Sequence, residues 1–190
     1  MLNKLVCLFT LIFFSCTEFV PLNSKKGLNF GIVIHGGAGT MNRKDMTPKK
    51  EKEYRKALEE SITSGYKILK EGGTSQEAVE QSIRIMENSP LFNAGKGAVL
   101  TAEKTIELDA AFMNGKDLNA GAIASVKTIK NPITAAIKVM EDSPHVLLSG
   151  RGAEKFAKEK GLEIVDPSYF FTERRENDLN RIKSIESSAN

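Results

Sequence analysis

The spacing of apolar residues changes partway along the chain, and that change restricts the fold more than any other feature. Thr47-Pro48 pairs an N-cap with proline at a first helical position, and Tyr54, Leu58, Ile62, Tyr66 and Leu69 then recur at helical spacing until Gly72-Gly73. Thr74 with Glu77 forms a capping box, and Val79, Ile83 and Met86 continue a second amphipathic helix that stops before Pro90. From Ala98 to Val126 the pattern becomes short apolar runs, "AVLTA", "TIELDAAFM" and "LNAGAIASV", with Asn114-Gly115 as a hairpin signal between the last two. These runs predict an antiparallel meander, and their alanine and glycine content predicts a sheet closely covered by other elements. Asn131-Pro132 opens a helix through Met140, "HVLLS" is a short strand, and Arg151 to Lys160 is a helix ended by Gly161. Helices, then strands, then helices argue for a layered α+β fold rather than a regular βαβ winding.

Upstream, "FGIVIHGGAGT" sets a β-rich run, Phe30 to Ile34, against a loop holding His35, Gly36, Gly37 and Gly39. It reads as a buried strand feeding a tight loop. Phosphate binding would need a GxGxxG or GxxxxGK[ST] pattern opening directly into a helix, and the next helix begins only near Thr47. An oxyanion role of the α/β-hydrolase kind would need a GxSxG elbow, which the chain lacks. Two readings stay open: a tight turn with a satisfied histidine, or glycines that let main chain approach a reacting centre, with His35 as a clamp. Asp109, among apolar strand residues, is expected to be a buried carboxylate satisfied by backbone N–H groups. His145 is expected to be packed and hydrogen-bonded, and with so few histidines a zinc site is not expected.

Composition bounds the rest. A chain of 190 residues with 41% hydrophobic content is long enough for one domain with a sizeable core. Its 27 basic and 24 acidic residues are spread without a basic stripe, which argues against nucleic acid as a partner. Residues 1–16, "MLNKLVCLFTLIFFSC", place a lysine before an apolar run from Leu5 to Phe14 that ends at Ser15-Cys16. This is read as an export signal. Ser15-Cys16 resembles a lipobox, so a lipidated Cys16 in the periplasm or at the outer membrane is expected, with an ordinary secretory signal or a buried N-terminal helix as alternatives. Both cysteines, Cys7 and Cys16, fall inside it, leaving no pair for an internal disulfide. Residues 17–29 read as a tether, 30–165 as the folded portion, and 166–190 as a polar linker, a solvated helix or mobile tail.

"SPLFNAGKGAVLTAEKTIELDAAFMNG", residues 89–115, taken with "IVIHGGAGT" upstream and "AGAIASVKTIKNPITAAIKVMEDSPHVLLSGRGAEKFA" downstream, resembles the isoaspartyl peptidase and plant-type L-asparaginase family of N-terminal nucleophile hydrolases. The resemblance implies a four-layer αββα sandwich made as a precursor that cuts itself before a threonine. That threonine then hydrolyses the side-chain amide of asparagine or a β-linked isoaspartyl peptide bond, its own freed α-amine serving as base. The family's nucleophile stands in a Gly-Thr-Val-Gly-like motif, and none occurs among residues 1–190, where Thr172 lacks the flanking glycine and valine. The resemblance therefore implies that these residues are the α portion, inactive alone and partnered by a β portion of the same precursor in a dimer of αβ units. The alternative from another class is a lipid-anchored pseudoenzyme or a module binding amino acids or peptides.

By resemblance, Gly36 and Gly37 lie against the scissile bond and the nucleophile. Asn93 matches an asparagine that orients water or the amine, against the plainer reading of an Asx-type turn residue. Residues 86–96 match a loop that holds a structural sodium ion through main-chain carbonyls, those of Met86, Glu87, Ser89, Phe92, Ala94 and Lys96, with no cofactor required. Membrane contact is implied only through the lipid anchor.

Overall fold

The computed structural model describes residues 30–37, Lys44 and residues 46–189. The expected export signal (1–16), the tether (17–29) and Gly39 lie outside the described residues.

Helix α1 spans Pro48–Lys70 and α2 spans Ser75–Glu87. Their ends follow the expected chemistry. Thr47 Oγ1 accepts from the Lys50 amide at 3.2 Å, while Thr74 and Glu77 exchange both bonds of a capping box. The helices pack antiparallel, and at their crossing Ser61 and Ser82 are both buried. Ser61 Oγ donates to the Ser82 carbonyl at 2.9 Å and Ser82 Oγ returns the bond to the Ser61 carbonyl at 3.0 Å.

The sheet holds β1 (Leu108–Met113), β2 (Ala120–Val126) and β3 (Leu147–Ser149) in the order β1-β2-β3. β1 and β2 form the expected antiparallel hairpin, with Ala111 opposite Ala122. Three expectations about the pairing of these strands are corrected. "AVLTA" is not a strand, because Thr101 and Thr105 close a turn on each other through the Thr105 carbonyl and the Thr101 amide, 2.8 Å. Asn114-Gly115 starts a longer loop rather than a two-residue turn: Asn114 N–H reaches the Asn119 carbonyl and Leu118, at φ +61°, closes back on the Asn114 carbonyl. Finally, β3 pairs parallel to β2 after α3 (Pro132–Asp142), so β2-α3-β3 is one βαβ unit inside a mixed sheet.

One face of the sheet is covered. Leu108, Phe112, Ile123 and Val126 meet α3 and α4 (Gly150–Glu159) through Ile133, Ala135, Ala136, Val139, Ala153 and Ala157. A Cβ on Gly121 would run into the Ala136 carbonyl, so α3 lies as close on the strand as its alanine and glycine content predicts. On the other face Asp109, Ala111 and Met113 are exposed. Asp109 is thus not buried as expected. Its Oδ1 still accepts from the Ser125 amide at 2.8 Å, tying the strands where the register slips between Leu108 and Ala110. His145 is likewise exposed rather than packed, since it precedes β3 at the sheet's open edge.

Phe30 to Ile34 is extended but has no ladder partner among the described residues, and Val33 is 93% exposed. The run instead rests one side on α1, with the Phe30 ring 5.4 Å from that of Tyr66. Beyond α4, a single 3₁₀ turn, Pro167–Phe170, sinks Phe170 fully into the core, and α5 runs over Glu173–Ala189. No described helix is long and apolar enough to cross a membrane.

Candidate functional site

Two glycine-bearing loops meet at one buried ring. A Cβ on Gly36 would lie 3.0 Å from Leu58 Cδ2 and 3.3 Å from Phe92 Cε1, so the loop at 35–37 sits on α1 and on the loop that follows α2. Phe92 is 4% exposed and packs edge-on to Tyr54, centroids 5.9 Å apart. Gly37 takes φ +109° with nothing within 4 Å of its missing Cβ, and its amide donates to His35 Nδ1 at 3.1 Å. His35, Gly36 and Gly37 are all exposed.

Residues 86–97 wind tightly enough that main chain touches main chain. A Cβ on Gly95 would run into the Glu87 carbonyl, and one on Gly97 into the carbonyls of Phe92 and Pro90. Ser89 N–H donates to the Met86 carbonyl at 3.2 Å, and Gly97 N–H to that of Ala94 at 3.1 Å. The six carbonyls expected to hold a cation therefore belong to one compact turn, and a set of neutral oxygens suits a hard, singly charged ion. Among the described residues no group of three or more His, Cys, Asp or Glu is gathered as a metal cradle. Asn93, next to Phe92, is exposed, and its Oδ1 accepts from the Val99 amide at 2.9 Å. That bond spans the whole turn rather than the two-residue reach of an Asx turn. With its oxygen engaged, the amide nitrogen of Asn93 remains as donor.

Ionisable groups hold this turn from both sides. Glu87 is 3% exposed, its Oε1 accepting from the Ile133 amide at 2.9 Å and its Oε2 from Asn131 Nδ2 at 3.0 Å. It thereby caps α3 from the end of α2. Burial pushes its carboxyl up to about 7, against the pull of the Asn131 and Ile133 donors. From α5, Arg174 Nη2 donates to the Pro90 carbonyl at 2.8 Å and the Leu91 carbonyl at 3.2 Å, and Nη1 to the Tyr54 hydroxyl at 3.1 Å. Tyr54 in turn donates to the Leu91 carbonyl at 2.9 Å. Arg175 Nε donates to the Gly97 carbonyl at 2.7 Å, and burial, then Arg174, lowers its pKa. Lys96 Nζ lies 5.3 Å from the centre of the Tyr169 ring.

The structure thus brings Gly36 and the 86–97 turn together at Phe92, while Gly37 reaches only its own loop. Sequence reasoning missed four groups: the Tyr54 hydroxyl, read as an apolar helix position; the Glu87 side chain, read only for its carbonyl; and Arg174 and Arg175, read as part of a polar tail. A signal for the arginines was present. Thr172 caps α5, its Oγ1 accepting from the Arg175 amide at 3.4 Å, and a capped helix start fixes where the next residues point.

The sequence model of a family described as Asparaginase matches residues 28–190. The isoaspartyl peptidase of Escherichia coli (strain K12) is 46% identical over 148 residues, 78% of this chain and 46% of that protein. The isoaspartyl peptidase/L-asparaginase of Mus musculus is 41% identical over 166 residues, 86% of this chain and 49% of its own length. The plant-type L-asparaginase of Pyrococcus abyssi is 44% identical over 152 residues, 80% of this chain and 47% of its own. The chain spans about half the length of the curated relatives it matches.

Proposed function

The chain belongs to the asparaginase family, and from that premise we propose that it is the non-nucleophile half of an enzyme hydrolysing the side-chain amide of L-asparagine, the β-linked bond of isoaspartyl dipeptides, or both. The nucleophile is a threonine that a self-cleaved precursor frees in a β portion. Its hydroxyl adds to the amide carbonyl while its own α-amine takes the proton. Ammonia or an amino acid leaves, and water hydrolyses the resulting ester. The observation that carries this reading is the contact of Phe92 with Gly36, which sets an exposed glycine turn beside the turn bearing Asn93.

In this reading Gly36 and Gly37 leave room for the scissile junction, and Asn93, its oxygen fixed by Val99, aims its Nδ2 donor at the amine or the attacking water. The carbonyls of Met86, Glu87, Ser89, Phe92, Ala94 and Lys96 hold a sodium ion whose role is to stiffen the turn. The bare sheet face at Ala111 and Met113 supports a second sheet stacked against it, as an αββα sandwich shared by the two portions requires. The assembly is a dimer of αβ units. The N-terminal motif supports export to the periplasm or outer membrane with a lipid on Cys16 as the sole membrane contact.

The test uses the protein as its gene encodes it. Mass spectrometry should find a cut before a threonine, and the cut protein should release ammonia from L-asparagine or a free amino acid from a β-aspartyl dipeptide. A folded protein that stays uncut and releases neither overturns the reading.

A further inference from the structure

We infer that Arg174 and Arg175 are positioning residues for Asn93, a clamp thrown by α5 over both ends of the turn that carries it. The inference rests on the functional reading above only in giving Asn93 a catalytic task. The clamp itself follows from the contacts.

Three main-chain oxygens of the turn accept from guanidinium groups rather than from amides alone. Pro90 and Leu91, just before Asn93, both accept from Arg174 Nη2, while Nη1 of the same fork holds Tyr54. Gly97, just after it, is held by Arg175 Nε at the shortest distance of the three. The Arg175 side chain is 15% exposed, so this charged donor works in a partly desolvated place where its bond is stronger than in water. Asn93 closes its own turn on Val99, two residues past Gly97. A shift of the Gly97 peptide would carry the Val99 amide with it and turn the Asn93 side chain.

The chemistry of the donors fits the task. Lysine gathers its three donors on one compact nitrogen, whereas the planar Arg174 fork spans Tyr54, Pro90 and Leu91 from two, locking α1, α5 and the turn to a common point. The oxygens taken by the arginines are those of Pro90, Leu91 and Gly97. None of them is among the six that a cation would use, so the arginines and the proposed cation draw on different oxygens of the turn.

The experiment is hydrogen exchange together with steady-state kinetics on the protein as encoded. Arg175→Ala should raise exchange at Val99 and Gly97 about 10-fold, the equivalent of one lost charge-assisted bond, while amides near Ser61 and Ser82 stay unchanged. It should lower kcat far more than it changes KM, Arg175→Lys should recover part of both effects, and Arg181→Ala, exposed on the same helix, should alter neither. Unchanged Val99 exchange in folded Arg175→Ala, or an equal effect from Arg181→Ala, overturns the clamp. Should Arg175→Ala unfold the whole protein, Arg174→Gln decides: Leu91 exchange must rise while the α1–α2 amides hold, and no rise refutes it. If exchange responds as expected but the wild-type protein hydrolyses neither substrate class, the clamp stands and the functional reading falls.

Discussion

The two glycine loops that touch at Phe92 need glycine for opposite reasons. In the turn at 86–97, Gly95 and Gly97 are filled-space glycines, each pressed against a carbonyl of its own turn, a contact that forbids a side chain even apart from the φ +48° of Gly95. In the loop at 35–37, Gly37 has open space around it and needs only its positive φ, while Gly36 faces side chains that have some room to give. Clusters of glycine that look alike in a sequence thus record two different constraints, a closed contact in one case and a backbone conformation at an exposed surface in the other. The first kind belongs to the stability of the chain. The second is left free for whatever approaches it.

The largest expected effect tests the closed contact. Gly97→Ala inserts a methyl group against the Phe92 and Pro90 main chain, which cannot rotate away, and should destabilise by about 3 kcal/mol in chemical denaturation. A loss below about 1 kcal/mol would mean that the turn gives way and that the contrast between the loops is false.

Next in size is the pH response of the same turn. Glu87 binds its proton more tightly folded, at about 7, than unfolded, at 4.5, so between those values the folded state holds more protons and stability falls as pH rises. The full span is worth on the order of 3 kcal/mol and is flat above it, with the working part smaller because other groups also titrate. Urea midpoints measured from pH 4.5 to pH 8 should show this decline, and Glu87→Gln should remove most of it. A wild-type profile that climbs through this window would show that the anion is the form stabilised by Asn131 and Ile133.

The smallest effect on stability belongs to the open loop. Gly37→Ala meets no neighbour among the described residues and costs only backbone strain in a segment with few contacts, about 1 kcal/mol, yet the proposed self-cleavage should slow markedly. Equal damage to folding from Gly37→Ala and Gly97→Ala would erase the distinction drawn here.

Local chemistry was the legible part of the sequence. Caps at Thr47 and Thr74, the hairpin strands and the helix after Asn131-Pro132 all announce themselves within a few residues. What stayed hidden depends on distant partners. Nothing near Leu147 tells that β3 will lie parallel to β2, since that follows from how α3 crosses the sheet. Nothing near Tyr54 tells that its hydroxyl will meet Arg174, which lies 120 residues away in the chain. The run from Phe30 to Ile34 carries β propensity alone, which cannot say whether a ladder partner is at hand. The apolar neighbours of Asp109 point to the interior, but alternation along a strand sends it to the opposite face.

The paired serines at the α1–α2 crossing have a further meaning. Because Ser61 and Ser82 each bind the other's carbonyl, sliding one helix past the other by a single residue would strand two hydroxyls in a dry interior. The hairpin is therefore a fixed ruler. It sets how far the start of α1 stands from the end of α2, and so the gauge between Tyr54 and Leu91 is decided about two helical turns away, by two of the smallest polar side chains in the protein.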